Sequence, residues 1–289
     1  TISESILGNI KDIIIFILIF NNLNKLVIHL HGGSIDKEIF KRYKILKHIN
    51  SFFYKRISCV IISGESHKSI FSIVKNENIH IVPNFVQDNL FIDNKITRKF
   101  KNIGKIKILY LSSMEFKKGY WDLLIGIEEV LKLFPNVYEF NFAGSFKREK
   151  DKEIFLKRIE SKPNIRYHGF VNDSEKKKLL HESHIFCLPT RYFEGQPISI
   201  LEAYASGCVV LTTSKPGILD IFDNKKNGYI IEEQSPKSIK NNLIKLKTNQ
   251  SELEKIAQYN FKLANKNYKE NTFCKKIDSI FHCIKEKKK

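Results

Sequence analysis

Two carboxylates, Glu194 and Glu202, stand with seven residues between them in the run EGQPISILEAYASG (194–207). Pro197 suits the first position of a helix, where its missing N–H would be unpaired anyway, and Gly207 is placed to end that helix in a left-handed conformation. Glu194 then lies in the loop that feeds the helix, and Glu202 lies inside it. Ile198, Leu201 and Ala205 recur at helical intervals and predict the buried stripe, with Glu202 one turn beyond Ile198 on the same side. A carboxylate on an apolar face is costly unless something pairs with it. Two chemistries fit: a capping or salt-bridging glutamate, or two carboxylates gripping a hydroxyl-rich ligand at a helix N-terminus. The spacing alone leaves both open.

The elements that must position this pair alternate along the chain. A helix over about 3–22 precedes strand KLVIHL (25–30), a helix around 37–56, strand CVII (59–62), a helix near 65–76 and strand IHIV (79–82). The polar, turn-rich stretch 83–105 breaks the pattern and is the expected domain boundary. Alternation resumes with strand 106–112, helix 118–134, strand 138–144, helix 148–160, strand 165–170 and helix 173–182. Strand 184–189, the motif helix 197–206, strands 208–213 and 228–231, and further helices complete the series. Repeated β–α units with apolar, β-branched strands predict parallel sheets covered on both faces, here in two domains. Ligands of such sheets bind beyond the carboxyl ends of the strands. Two other loops lie there. YLSSMEFKKG (110–119) carries Lys118, which alone reads as a solvated lysine, and VIHLHGGS (27–34) carries His31 beside two glycines that permit a close backbone approach. Gly144, in FAGSF, is explained by a plain strand-end turn.

The segment CLPTRYFEGQPISILEAYASGCVVLTT (187–213) resembles the signature of retaining glycosyltransferases of the GT-B fold, family 4 or "group 1", and the resemblance extends from about residue 25. It implies an α/β fold of two Rossmann-like, doubly wound parallel-sheet domains facing a cleft. The expected division is a partial acceptor-side domain (1–104), a nucleotide-sugar domain (105–268) and a C-terminal helix crossing back to the first domain (269–289). In that frame Glu194 orients the sugar hydroxyls, Gly195, Gln196 and Pro197 line the donor, and Glu202 holds the ribose. Lys118–Gly119 matches the second half of the family's Gly-Arg-x4-Lys-Gly phosphate loop. Ser112 and Ser113 replace its Gly-Arg, so one bidentate phosphate contact is missing, and Ser113 keeps a single hydroxyl donor. His31 matches the family histidine that reaches the donor sugar, and Gly144 a glycine near the nucleotide. KPGILD (215–220) stands where the family has Gly-Gly-x-Pro-Glu, with Leu219 and Asp220 in place of Pro-Glu.

No Asp-x-Asp occurs in the sequence, so no metal and no cofactor are expected. The leaving diphosphate is to be met by Lys118 and helix N-termini, and the resemblance implies retention without a double-displacement carboxylate. The implied partners are a UDP- or GDP-sugar donor and a glycan or lipid-diphosphate-linked acceptor in cell-surface polysaccharide synthesis. Family members begin with a strand and a Gly-rich loop, whereas this chain opens on a helix without an initial Met. The expectation is a chain lacking that start, which binds nucleotide weakly, transfers no sugar, and leaves apolar surface of the 13–20 helix exposed.

The 289 residues suit one full α/β domain and part of another, and 42 % apolar content is ample for a core. Net charge is +18, from 49 basic and 31 acidic residues. A Lys-, Ile-, Asn- and Phe-rich composition accounts for part of it, and an anionic inner leaflet is a partner that the charge suits. Nucleic acid is not expected, because the aromatics fall inside apolar strands and helices rather than among the basic residues. Five scattered cysteines without CxxC spacing argue for a reducing compartment, hence a cytoplasmic location. The run IIIFILIF (13–20) is too short to span a bilayer. Two rival functions stay in view: a sugar-nucleotide epimerase of the same fold, expected to lack the full Glu-x7-Glu, and an inactive interaction module.

Overall fold

The computed structural model describes residues 1–92, 96–101 and 103–286. Residues 93–95 and 102 of the predicted boundary stretch, and 287–289 of the predicted last helix, lie outside the described residues. Helix α1 (Ile6–Leu18) leads through a 3-10 segment (Phe20–Lys25) to β1 (Val27–Leu30). A π turn (Asp36–Phe40), α2 (Lys44–Tyr54), β2 (Cys59–Ile62), a 3-10 segment (Glu65–Phe71) and β3 (Ile79–Ile81) follow. After the short α3 (Ile96–Phe100) come β4 (Ile106–Leu111), α4 (Tyr120–Leu133), β5 (Tyr138–Ala143), α5 (Glu149–Ile159), β6 (Ile165–Gly169) and α6 (Asp173–Glu182). The remainder is β7 (Ile185–Leu188), α7 (Ile198–Ala205), β8 (Val209–Thr212), α8 (Pro216–Leu219), β9 (Gly228–Ile230), α9 (Pro236–Lys247), α10 (Gln250–Asn267) and α11 (Glu270–Glu286).

The strands form two wholly parallel sheets, of order β1-β2-β3 and β6-β5-β4-β7-β8-β9. Strands β2, β7 and β8 are buried at every residue, which is why they read as unbroken apolar runs. Each sheet has its own apolar cluster, and α11 lays Phe273, Ile277 and Ile280 against Cys59, Ile61 and Val82 beside the first sheet. Helices α1 and α2 are joined by two reciprocal side-chain bonds between the buried amides Asn9 and Asn50, at 3.1 and 2.9 Å. On α1, Leu7, Ile14, Ile17 and Leu18 are more than half exposed.

Several predicted elements change shape. The 37–56 helix divides into the π turn and α2, and the 65–76 helix is a 3-10 segment; the sequence gives no physical reason for either break. Pro197 is the N-cap of α7 with extended backbone (ψ 111°), not its first helical residue. Ile198 is 48 % exposed, whereas every residue from Ile200 to Ala205 is buried. The motif helix therefore has no polar face, because it is enclosed by the sheet and α10. Lys99 of α3 holds its far end: the fully enclosed ammonium donates to the carbonyls of Ser206 (2.8 Å) and Gly207 (3.2 Å), and burial lowers its pKa.

His184 joins three elements. Its Nδ1 accepts from the Lys107 N–H at 2.9 Å, so its Nε2–H faces the Lys99 carbonyl at 3.1 Å. This arrangement needs a neutral ring, and burial, with Lys99 nearby, pushes its pKa from 6.5 to about 4. Between those values the unfolded chain binds a proton that the folded chain refuses. Stability is therefore complete above pH 6.5 and is lost as pH falls toward 4, by about 1.4 kcal/mol per unit. His29, also held down to about 4 by burial and then by His31, acts with the same sign. Urea unfolding at pH 7 and pH 4.5 should show a loss of about 2–3 kcal/mol from His184; His184→Gln should flatten that slope by one proton, and an unaltered slope would contradict the account.

Candidate active site

In the second sheet β4 lies beside β7, and the chain leaves β4 toward β5 on one side and β7 toward β8 on the other. Such a switch point opens a crevice at the carboxyl ends of the two strands. The loops emerging there carry Lys118 and Glu194, and they meet: Lys118 Nζ donates to Glu194 Oε1 at 2.7 Å and to Oε2 at 2.9 Å. Thr190 Oγ1 donates to the same Oε1 at 2.8 Å, and Lys118 also lies 4.9 Å from the centre of the Tyr192 ring. Only 9 % of the Glu194 side chain and 19 % of that of Lys118 is exposed, so water screens this pair far less than a surface ion pair. Gly119 follows in the left-handed region (φ 80°), and a Cβ on it would lie 2.0 Å from the Pro189 carbonyl oxygen. Only glycine lets the two loops touch there.

The first sheet reaches this crevice through the loop after β1. Gly33 packs on the Glu194 carbonyl, and Gly195 packs on the His31 carbonyl. Gly217 of α8 closes from the other side against the Gly195 oxygen, so the Glu194–Gly195 peptide is held between two backbone segments. His31 thus arrives through its main chain. The residue is exposed, with its ring 3.8 Å from that of His29. Gln196, expected to line the donor, directs its side chain to the first sheet. Its Oε1 accepts from Asn84 N at 2.6 Å, and its Nε2 donates to the Ser63 carbonyl at 2.9 Å. Asp220 is a second tie of this kind, accepting from Ser66 Oγ at 2.5 Å and Ser66 N at 3.1 Å.

Glu202 on α7 is 8 % exposed and pairs with Lys176 of α6, Nζ to Oε1 2.9 Å. The N-terminus of α6 is fixed by a capping box, in which Asn172 Oδ1 accepts from Glu175 N and Glu175 Oε2 accepts from Asn172 N. Ser113 donates its hydroxyl to Glu115 at 3.0 Å, and Glu115 in turn pairs with Lys147 at 3.0 Å. Gly144 (φ 144°) sits where a Cβ would come 1.8 Å from the Ser112 carbonyl oxygen. The fit of strand ends β4 and β5 accounts for it.

Residues 92–263 match the family model described as glycosyl transferases group 1. The chain belongs to that family. The group 1 chain is 29 % identical over 232 residues to the poly(ribitol-phosphate) alpha-N-acetylglucosaminyltransferase of Staphylococcus aureus strain COL, covering 77 % of this chain and 43 % of the relative. It is 26 % identical over 256 residues to the poly(glycerol-phosphate) alpha-glucosyltransferase of Bacillus subtilis strain 168, covering 83 % and 35 %. It therefore spans about half, or less, of the length of these relatives. Among solved structures, Anabaena HepE in complex with UDP and glucose superposes with a TM-score of 0.76 at 16 % identity, over 94 % of this chain and 76 % of that one. At that identity the likeness carries the fold, which is α/β with the two Rossmann-like sheets of GT-B.

Two residues that contact Glu194 and Glu202 carry little signal in the sequence. Thr190 carries no signal beyond its place before the motif. Lys176 is one of three consecutive lysines in DSEKKKLLHE, and only its helical phase, known once α6 is placed, selects it. No described helix is long and apolar enough to cross a membrane, and no three His, Cys, Asp or Glu among the described residues converge as metal ligands.

Proposed function

We propose that this chain carries the nucleotide-sugar site of a retaining, family 4 glycosyltransferase. Its reaction moves a sugar, a hexose or N-acetylhexosamine, from a UDP- or GDP-sugar to a glycan or lipid-diphosphate-linked acceptor in cell-surface polysaccharide synthesis. The observation that carries this reading is the Lys118–Glu194 pair at the switch point. UDP in the HepE complexes and the sugars named for the two polymer-modifying relatives support it.

An ammonium has three N–H donors, of which Lys118 gives two to Glu194. The third serves the diphosphate, where negative charge grows as the glycosidic bond to phosphate breaks. Glu194, held by Lys118 and Thr190, accepts from the sugar hydroxyls and fixes the ring. The first N–H groups of α7, which have no intrahelical partner, add positive potential on the same side. His31 approaches the sugar from the first sheet, Glu202 grips the ribose, and Ser113 and Gly144 border the diphosphate and nucleotide. Residues 1–104, 105–268 and 269–289 are the acceptor-side unit, the donor unit and the returning helix of this scheme. Lysine and helix ends replace a metal, and the enzyme works in the cytoplasm, with the inner leaflet as a peripheral contact.

Calorimetric titration with UDP-glucose, UDP-N-acetylglucosamine and GDP-mannose in EDTA tests the reading. One donor should bind, and Lys118→Ala should weaken it by ten-fold or more, the scale of a charge-assisted hydrogen bond. Equal affinity in the variant sinks the role of Lys118. Binding abolished by EDTA and restored by manganese sinks the metal-free scheme.

A further inference from the structure

We propose that a basic groove beside α2 binds a phosphate-bearing polymer as the acceptor chain. This deepens the acceptor half of the proposed function and rests on that reading. The groove, about 760 Å³, runs between α2 and the segment around Ile73, with Phe40, Phe52 and Ile73 among its apolar walls. Lys41, Lys44, Lys47, His48, Lys55 and Arg56 rim it, and no acidic side chain lines it. Lys41 is neutralised by Asp36 at 3.0 Å, and Arg56 lies over the Phe52 ring at 3.8 Å. Lys44, Lys47 and Lys55 are exposed, with no carboxylate partner among the described residues.

Positions 44, 47, 48, 51 and 55 follow helical spacing, so Lys44, Lys47 and Lys55, with His48 and Ser51 between them, form one stripe, roughly 16 Å long at 1.5 Å per residue. Like charges on one helix face repel and weaken the helix slightly. A negative ligand reverses that term. Solvated lysines are common in a chain of charge +18, but two features set this stripe apart. It borders a recess with an apolar floor, which suits an extended chain of alternating phosphate and carbon units better than a flat bilayer. The stripe also continues into the cleft. The π turn that precedes Lys41 carries Lys37, whose Nζ stands 4.1 Å from the centre of the Phe193 ring, next to Glu194. Lys215, neutralised by Glu233 at 2.7 Å, approaches the same ring from the second sheet at 5.4 Å. Lys37 therefore links the turn beside the groove to the neighbour of Glu194, and with the groove lysines it would hold a polyanion with its free hydroxyl toward the transfer site.

The test uses the full chain and a fluorescently labelled poly(glycerol phosphate) oligomer, read by anisotropy over a salt series. Wild-type protein should bind it. The variant K44E/K47E/K55E should lose at least ten-fold in affinity, and its log affinity against log salt should be shallower by about 2, near 0.7 for each of three lost phosphate contacts. A matched reversal of exposed, unpaired lysines elsewhere, K132E/K150E/K157E, should keep most of the binding. Absent binding, equal loss in both variants, or groove-dependent binding to phosphatidylglycerol vesicles that the oligomer does not compete with would overturn the proposal. Circular dichroism verifies that each variant is folded. Parallel titration with the same three donors separates the two readings: an intact groove result with none of them bound condemns the donor assignment alone.

Discussion

Gly119→Ala should lower the unfolding free energy by about 3 kcal/mol or more and weaken donor binding with it. A side chain in the left-handed region costs about 1–2 kcal/mol by itself, and here the added Cβ would also lie 2.0 Å from the Pro189 carbonyl oxygen. That oxygen belongs to the backbone of the neighbouring loop, so relief requires the two crevice loops to part. Parting them moves Lys118 off Glu194. For a chain of this size the loss should appear as a fall in Tm of roughly 6–12 °C. Gly169→Ala is the control, because Gly169 has φ 69° and nothing within 4 Å of its added Cβ. It should show the backbone strain alone, about 1–2 kcal/mol, with unchanged donor affinity. Equal losses at the two sites would mean that the loop contact does not hold Lys118 in place.

Glu202→Gln should weaken UDP binding by about 1–3 kcal/mol, the cost of a lost charge-assisted hydrogen bond to the ribose. Gln keeps an oxygen that can accept from Lys176, so the fold should lose little. Lys176→Met discriminates between the two roles of the carboxylate. If Glu202 only neutralises Lys176, the two substitutions should act alike. If it grips the ribose, Lys176→Met leaves the acceptor in place and UDP affinity should stay near that of the wild type. Titration of both variants decides the matter, and unchanged affinity in Glu202→Gln ends the ribose assignment.

Much of the scaffold was legible in the sequence because its strands bury both faces. CVII forms a strand at 59–62, and α6 occupies 173–182, where a polar helix with a capping box leaves little ambiguity. The loops were harder. Pro197 satisfies either a first-turn or a capping role, and its observed ψ of 111° depends on the crevice contacts of its neighbours. Ile198 was assigned to the core on periodicity, yet α7 is buried nearly all round and its exposed end is the apolar Ile198, so period carried no information there. Lys118 and Glu194 could be marked from motifs, but that they touch could not. The side-chain bonds of Gln196 were hidden for a related reason. Its partners Asn84 and Ser63 are 112 and 133 residues away, and no local pattern reports such a pairing.

The apolar clusters of the two sheets are separate, and what joins the sheets beside the cleft is polar: Gln196 to Asn84 and Ser63, Asp220 to Ser66, and backbone packed on glycine. Such a seam has a mechanical meaning. Each bond given up is replaced by one to water, so the net cost is about 0.5–1.5 kcal/mol per neutral bond and somewhat more for those to the Asp220 carboxylate. A boundary of leucines would lock. In the proposed scheme this polar seam would let the halves part to admit a bulky donor and close again over it, as hinge-bending proteins do around their ligands. In that scheme side chains such as Gln196 and Asp220 would set how long the halves stay together.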